Sequence, residues 1–310
     1  MGDALSIAEE VRDALAGGIG VVALETSVIG QGLPTPRNEE CVRRMSGAIR
    51  EAGAVPAWIG IVDARVIVGL DERQLAWFLE PGAATKVARR DMPIAIATQT
   101  LGATTVSATV WAGARAGVCV GATGGIGGVH PGEGADVSAD LLELARTAGL
   151  LVCSGPKSII DPVATADKLE ELGVAIIGYR VSRLPFFLAT DAPVELEHRV
   201  ETPAEAASAL TALLALGARS TLLVCNPVPA AAAMLPGEVA TAAREAERLA
   251  GEAGVSGKAR TPFLLAALAE LTGGRSLEAN LALLEDNARV AAEISVAHAA
   301  GGPGAPETGA

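Results

Sequence analysis

A twenty-residue stretch near the middle of the chain has the composition of a ligand-binding loop. Residues 121–140 read GATGGIGGVHPGEGADVSAD, with seven glycines, one histidine and two aspartates. Glycines allow a backbone to approach a ligand closely, and two carboxylates can hold a hard cation. Ser138 or Asp140 is expected to cap the following helix, whose free N–H groups suit an anion. The stretch lacks a Walker A lysine and a full dinucleotide fingerprint, and a plain glycine-rich connection is the alternative.

Two residues outside this stretch have side chains suited to catalysis. Lys157 follows the residues CSGP at a predicted strand end, where a desolvated lysine can attack a carbonyl carbon and form a Schiff base. The alternative is a surface lysine at a helix start, which the helix dipole opposes. Glu25 ends the apolar run GVVALE, and a carboxyl group there suits a general acid or base. The alternative for Glu25 is a carboxylate bonded to loop amides.

A basic cluster and the histidines offer further binding groups. Lys86 lies in TKVARRD beside Arg89 and Arg90, and both a phosphate clamp and a basic helix end fit that pattern. The histidine of the glycine-rich stretch, His130, can donate to a phosphate. The other two histidines, at 198 and 298, are predicted to lie at the surface.

These residues are set among alternating strand and helix patterns. Helices are predicted at 5–16, 38–53, 104–116, 203–216, 237–253, 260–272 and 276–299, and strands at 20–26, 56–70 (a pair), 93–98, 117–120, 174–179 and 220–226. Such alternation predicts an α/β fold, a mainly parallel mixed sheet covered by helices on both faces. Residues 1–300 are expected to form a single domain and residues 301–310 a disordered tail.

In open parallel sheets, ligands bind at the carboxyl ends of the strands. Glu25, the glycine-rich stretch, Lys157 and Asn226 all follow predicted strands. The pattern therefore predicts that these four features share one cleft.

Composition excludes several classes of function. The net charge is −12 and no basic block is present, which argues against nucleic acid as a partner. The four cysteines form no CxxC motif, so buried free thiols and a cytoplasmic location are expected. No uninterrupted run of about 18 apolar residues occurs, so no membrane span is predicted.

Many ordered motifs resemble those of the pseudouridine-5′-phosphate glycosidase family, also called the indigoidine synthase A-like family, from about residue 5 to 298. The motifs are ALETSVIGQGLPTPRN, KVARRDMP, GATTVSAT, ATGGIGGVH, DVSADLLELA, CSGPKSIID, NPVP, GKARTPFLLA and LTGGRSLEANLALLEDNA. The resemblance implies a homotrimeric enzyme that makes or breaks the C–C bond between C1 of ribose 5-phosphate and a ring carbon such as C5 of uracil.

The resemblance also implies roles for individual residues. Lys157 matches the nucleophile that forms an iminium at C1, Glu25 the proton donor and acceptor, and Asp136 the ligand of a manganese ion, Mn²⁺, held mostly through water. Within the substrate set, the phosphate is assigned to Thr123 and His130, and the pyrimidine to Asn280. The full set implied to bind substrate is Lys86, Val106, Thr123, His130, Ser138, Ala139, Asp140 and Asn280.

The chain departs from the family pattern near the expected aglycone site. Gln31 replaces a histidine, Thr35 a tyrosine, and Trp58 a threonine, while the nucleophile, acid, metal ligand and phosphate lysine are kept. Two versions of the activity therefore stay open: a degradative glycosidase, and a natural-product C-glycosynthase that attaches ribose 5-phosphate to an aromatic polyketide-type aglycone. A hypothesis of another class is a non-catalytic ribose-phosphate binding protein, against which the retained Lys157 and Glu25 argue.

Overall fold

The computed structural model describes residues 4–131, 136–255, 257 and 260–301. The strands are β1 (Leu5–Ile7), β2 (Val21–Glu25), β3 (Val55–Val62), β4 (Arg65–Val68), β5 (Thr85–Val87), β6 (Gly102–Thr104), β7 (Val120–Ala122), β8 (Gly149–Cys153), β9 (Ile176–Tyr179), β10 (His198–Val200) and β11 (Thr221–Cys225). The α-helices are α1 (Glu9–Ala16), α2 (Arg37–Glu51), α3 (Glu72–Leu79), α4 (Met92–Ala97), α5 (Val106–Arg115), α6 (Ala139–Leu144), α7 (Pro162–Glu171), α8 (Pro203–Ala215), α9 (Pro236–Glu252), α10 (Arg260–Leu271) and α11 (Arg275–Ala300).

All the described strands belong to one sheet, whose main path runs β1-β4-β3-β2-β7-β8-β11-β9-β10. Strand β6 branches from β3 and pairs with β5. Pairing is parallel except between β3 and β4 and between β3 and β6. The predicted mainly parallel mixed sheet is therefore confirmed.

Side-chain alternation along the central strands explains why helices cover both faces. In β2, Val22 and Leu24 join a hydrophobic cluster with residues of α2, α8 and α11. The alternate residues Val21 and Ala23 join a second cluster with residues of α1 and α5. Since successive strand residues point to opposite faces, a strand that is apolar throughout needs a helical layer on each side.

Three details of the predicted elements are wrong. The run 93–98 is not a strand but most of α4: Pro93 stands in its first turn, where proline favours a helix, and Ile94 is 65% exposed. A short apolar run does not distinguish the two states. Only the later part of the first predicted helix, 5–16, is helical, because its beginning, Leu5–Ile7, forms strand β1 and pairs in parallel with β4. The strand predicted at 117–120 begins later, at Val120, because Gly117 has φ of 85° after the end of α5.

The structure also bears on the expectations for the cysteines, the surface histidines, a membrane span and the tail. All four cysteines are free thiols, three of them buried and Cys119 partly buried. His198 is exposed, whereas His298 is partly buried and its Nδ1 lies 3.1 Å from Thr211 Oγ1. None of the helices within the described ranges has the length and apolar character needed to cross a membrane. The predicted disordered tail, apart from Gly301, lies outside the described residues.

Helix α11 is fastened to the carboxyl ends of the sheet strands by one buried amide. Asn287 Nδ2 donates to the Thr123 carbonyl oxygen at 2.8 Å and to Ser154 Oγ at 3.1 Å. Its Oδ1 accepts from Asn226 Nδ2 at 3.1 Å. Asn287 thus satisfies polar groups that follow β7, β8 and β11.

Replacing Asn287 by alanine is expected to lower the free energy of unfolding by about 1–3 kcal/mol, because buried partners lose their hydrogen bonds. Urea unfolding followed by circular dichroism measures the loss. The matched control is Ser208→Ala, because the exposed Ser208 hydroxyl bonds only the Ala204 carbonyl of its own helix. That change should stay within about 0.5 kcal/mol, and an equally small effect at Asn287 would contradict the anchoring role.

Candidate functional site

The carboxyl ends of β2 and β7 bring a buried carboxylate and a buried hydroxyl together. Glu25 is the last residue of β2 and is 3% exposed. Its carboxylate accepts hydrogen bonds from Ser27 Oγ at 2.8 Å and from Thr123 Oγ1, the residue after β7. Two side-chain hydroxyls therefore hold the Glu25 carboxylate. Neither of these bonds comes from a loop amide, so they do not support the alternative of a carboxylate bonded to loop amides.

Lys157 is positioned by the turn that follows β8. Gly155 in that turn has φ of 77°, and a Cβ there would lie 2.0 Å from the Pro185 carbonyl oxygen, so only glycine fits. The Lys157 N–H donates to the Ile126 carbonyl oxygen at 3.1 Å. Since α7 begins only at Pro162, Lys157 is not a surface lysine at a helix start.

Lys157 stands where two cavities meet. The first, which we call the polar chamber, has an empty volume of about 1080 Å³ including space open to solvent. The second, the apolar chamber, has about 460 Å³ on the same measure. Four residues line both: Ser27, Lys86, Lys157 and Thr261.

The two chambers differ in their side chains. The polar chamber includes Glu25, Arg90, Asp91, His130, Asp136, Ser138, Ala139 and Asp140. The apolar chamber includes Val28, Gln31, Thr123, Phe187, Pro262, Leu265, Asn280 and Leu284. Of the eleven predicted site residues, ten line one or both chambers. A charged compartment and an apolar compartment thus adjoin the same lysine.

Val106 is the predicted site residue whose side chain lies elsewhere. It begins α5, is 2% exposed, and belongs to a hydrophobic cluster with Ile126, Leu141 and Leu144. Its side chain therefore contributes to the core, and any contact with a ligand would be through its backbone.

Asp140 builds the glycine-rich loop. Its Oδ1 accepts from the Ser107 N–H and its Oδ2 from the Gly127 N–H, both at 3.0 Å. Ser138 caps α6 as predicted, with Oγ accepting from the Asp140 N–H at 3.2 Å. A Cβ at Gly128 would lie 2.3 Å from Thr165 Oγ1. Gly128 is therefore required by packing against α7, and Asp140 links the loop to α5 by accepting from one backbone N–H of each.

His130 has a buried nitrogen with no partner among the described residues. Its Nδ1 is enclosed and makes no hydrogen bond there, while its backbone N–H donates to the Asp136 carbonyl oxygen at 3.0 Å. Burial lowers the pKa of the His130 ring below its ordinary value, and the Asp136 carboxylate offsets part of that shift. Burial therefore favours the uncharged ring, which can meet a ligand as a hydrogen-bonding group.

The three cations of the basic cluster have different surroundings. Lys86 lies in β5, paired with Ala103 of β6, so the alternative of a basic helix end is wrong. Arg89 stacks on Trp111 with its guanidinium carbon 4.2 Å from the ring centre. Arg90 lines the polar chamber with Lys86, so two of these three cations face it.

Asn226 does not share the cleft, contrary to prediction. Its amide nitrogen donates to Asp286 Oδ2 at 2.8 Å as well as to Asn287. It lines a separate surface depression with Arg180 and Arg183. A position at a strand end is thus not sufficient to place a residue in the cleft. The Asn226 amide is hydrogen-bonded to residues of helix α11 instead.

Of the three departures noted near the expected aglycone site, Gln31 alone is found at a chamber wall. Thr35 is exposed in the segment before α2. Trp58 is buried in β3, and its Nε1 donates to Ser46 Oγ at 3.0 Å beside a depression near α2 and α3. Neither Thr35, in place of a tyrosine, nor Trp58, in place of a threonine, therefore changes the chamber walls directly.

Several chamber residues were not among the predicted site residues. Phe187 is 2% exposed yet has φ of 54°, an unfavourable value for a bulky residue. Thr261, Pro262 and Leu265 belong to α10 and to the motif GKARTPFLLA, but their apolar pattern by itself indicates only a packed helix. Their position at the chamber depends on tertiary contacts.

A metal ion has one candidate ligand of the expected kind. Asp136 is exposed and lines the polar chamber. In the part of the chain that the structure describes, no three His, Cys, Asp or Glu side chains gather into a metal site. A single carboxylate fits an ion that keeps most of its water.

Comparison with known proteins gives consistent matches over almost the whole chain. The family model described as indigoidine synthase A like protein matches residues 10–297. The pseudouridine-5′-phosphate glycosidase of Methylobacterium nodulans is 44% identical over 308 residues, covering 99% of this chain and 91% of that protein. The enzyme of the same name from Symbiobacterium thermophilum is 45% identical over 303 residues, covering 96% and 98%.

Two solved structures are also similar. The prealnumycin C-glycosynthase AlnA, in complex with ribulose 5-phosphate, has a TM-score of 0.88 and 37% identity, covering 97% of this chain and 98% of that one. An indigoidine synthase A-like protein from Thermotoga maritima has a TM-score of 0.86 and 38% identity, covering 94% and 95%. Both confirm the α/β fold.

Asp140→Asn is expected to destabilise the protein by about 1–3 kcal/mol, because an amide NH₂ would face a backbone N–H that now donates to an oxygen. Asp161→Asn is the matched control. Asp161 caps α7 with one oxygen, which accepts from both Val163 and Ala164, and asparagine caps nearly as well. Chemical unfolding of both variants gives the difference, and equal losses would show that the second oxygen of Asp140 is not required.

Proposed function

The chain belongs to the indigoidine synthase A-like family, and we propose that it makes or breaks the C–C bond between C1 of ribose 5-phosphate and a carbon of a ring aglycone. The observation that carries this proposal is the position of Lys157, between a charged chamber and an apolar one. A sugar phosphate joined to an apolar ring needs both environments, with the reacting carbon at their boundary.

The relatives support the same chemistry. Two of them are named for cleaving pseudouridine 5′-phosphate, and AlnA is named as a C-glycosynthase and was crystallised with a five-carbon sugar phosphate. Cleavage and synthesis are two directions of one reaction, so both names are consistent with a single arrangement of groups.

In the cleavage direction, Lys157 is the nucleophile. Its uncharged amine attacks C1 and displaces the ring oxygen, which takes a proton from Glu25. The ammonium nitrogen formed at C1 returns a proton to the Glu25 carboxylate and so regains a lone pair. That lone pair forms the C1=N⁺ bond while the C1–C bond pair passes to the aglycone carbon, which takes the proton from Glu25. Water hydrolyses the iminium, which releases ribose 5-phosphate and restores the lysine. Synthesis follows the same steps in reverse.

Glu25 serves as the proton donor and acceptor in this proposal. It shares the polar chamber with Lys157, and the Ser27 and Thr123 hydroxyls orient its carboxylate. A carboxyl group fixed by hydrogen bonds beside the reacting carbon can exchange protons without reorienting.

The sugar phosphate is assigned to the polar chamber. Lys86 and Arg90 supply positive charge there, and the unpartnered Nδ1 of the uncharged His130 supplies a hydrogen-bonding group. The apolar chamber is left for the aglycone, with Asn280 on its wall. Thr123 lines that chamber and donates to Glu25, so it is assigned to positioning the acid.

The proposal includes a divalent cation, Mn²⁺, held by Asp136 and water. When bound, such an ion would supply positive charge that offsets the carboxylates around the phosphate. A homotrimeric assembly, as the family resemblance implies, and a cytoplasmic location, as the free cysteines suggest, complete the proposal. Light scattering of the purified protein tests the trimer.

Lys157→Arg is expected to abolish turnover of pseudouridine 5′-phosphate while ribose 5-phosphate still binds, because arginine keeps its charge but cannot lose the proton needed for attack. Single-turnover kinetics and ligand titration measure the two properties. The control is Lys168→Arg, which alters a partly buried lysine outside both chambers, paired with Glu171 at 2.8 Å, and should leave turnover unchanged. Chemistry retained in Lys157→Arg would contradict the assigned nucleophile.

Lys86→Ala is expected to lower kcat/KM about 10- to 100-fold, mainly through weaker binding, because one charge-assisted contact to the phosphate is lost. A substrate that lacks the phosphate should be affected much less by this change. An equal loss on both substrates would show that Lys86 does not hold the phosphate.

Chelation of divalent ions is expected to abolish activity, and added Mn²⁺ to restore it, without loss of the folded far-UV signal. An ion held by one protein ligand binds weakly and contributes little to the fold. Unfolding on chelation would show instead that the ion is structural.

A further inference from the structure

Gln31 lines the apolar chamber and carries a side-chain amide whose orientation is fixed by one hydrogen bond. Its Nε2 donates to the Ala84 carbonyl oxygen at 2.8 Å, and because only the N–H end can face a carbonyl, this bond settles which end is Oε1. Oε1 is buried and has no hydrogen-bond partner among the described residues. A buried acceptor is rarely left unpaired, so a donor from a ligand is the expected partner.

The backbone that carries Gln31 supports a built site. Val28–Gly32 forms a π-helical turn immediately after Ser27, which binds Glu25. Such turns occur most often at functional sites. The same short segment therefore contributes to the acid at the lysine junction and to the acceptor in the apolar chamber.

Phe187 supplies a rigid aromatic surface in the same chamber. Its N–H donates to the Ser154 carbonyl oxygen at 2.7 Å, which holds the residue at its φ of 54°. A Cβ at Gly125 would lie 2.8 Å from Phe187 Cδ2, so the ring lies directly against the glycine backbone. Strained backbone of this kind persists where the surroundings fix it, often at ligand sites.

The walls of the apolar chamber suit a flat ligand. Buried or partly buried side chains of Phe187, Leu265 and Leu284 line it. A planar ring can lie against these apolar surfaces.

We propose that Gln31 selects the aglycone, its Oε1 accepting a ring N–H of a single-ring nitrogen heterocycle that lies against Phe187. This inference rests on the proposed function, because it places the aglycone in the apolar chamber beside C1 at Lys157. It bears on the two versions of the activity, because a pyrimidine-type ring carries N–H donors of its own, whereas a carbocyclic polyketide ring can donate only through an O–H substituent.

The test compares two proteins with three substrates. The wild type and Gln31→Met, which keeps the length of the side chain but removes the acceptor, are assayed with pseudouridine 5′-phosphate and with analogues methylated at either ring nitrogen. In the wild type, at least one methyl group should lower kcat/KM roughly 10- to 100-fold, because it removes the donor and leaves Oε1 unpaired. In Gln31→Met the same methyl group should lower kcat/KM by about threefold or less, which is the size of effect expected for an exposed contact.

The formation of a borohydride-reducible adduct with ribose 5-phosphate alone serves as the internal control, and Gln31→Met should form it at the wild-type rate. Equal sensitivity of the two proteins to methylation overturns the selection role, as does a wild type that tolerates both methyl groups. Because the wild-type comparison needs no variant, a poorly folded Gln31→Met does not affect it. Absence of any adduct in the wild type would instead refute the proposed function.

Discussion

The parallel register of β2, β7 and β8 is the constraint on which the site depends. Leu24 pairs with Ala122, and Ala122 with Val152, so the next residues along these strands lie side by side at one edge of the sheet. This register brings the Thr123 hydroxyl to Glu25 and starts the Lys157 turn beside them. Because side chains alternate, a slip of one residue would turn Glu25 to the other face.

Much of the polar chemistry near this edge builds the site rather than serving the reaction. Asp140 satisfies two backbone N–H groups, Asn287 fastens α11 beside Thr123, and Gly128 fits against Thr165. Asp140 both supports the loop and lines the polar chamber. Helix α10 contributes Thr261 to the boundary between the two chambers, beside Ser27, Lys86 and Lys157.

The site residues that the sequence placed correctly are those whose position depends on a local pattern. Glu25 and Lys157 could be placed because one ends an apolar strand and the other lies in the turn after one, and Ser138 because capping is a local interaction. Asn226 was misplaced because its partners, Asp286 and Asn287, are about sixty residues away in the chain. The free oxygen of Gln31 and the wall formed by Phe187 depend on tertiary contacts, and no local pattern encodes them.

The covalent role of Lys157 is tested most directly by peptide mapping of the wild-type protein after borohydride reduction with ribose 5-phosphate. Reduction converts a lysine Schiff base into a stable secondary amine, so the modified residue can be read from fragment masses. The account predicts the added sugar phosphate on Lys157 and an unmodified Lys86. Modification of Lys86 in its place, or a protein whose mass does not change, would contradict it.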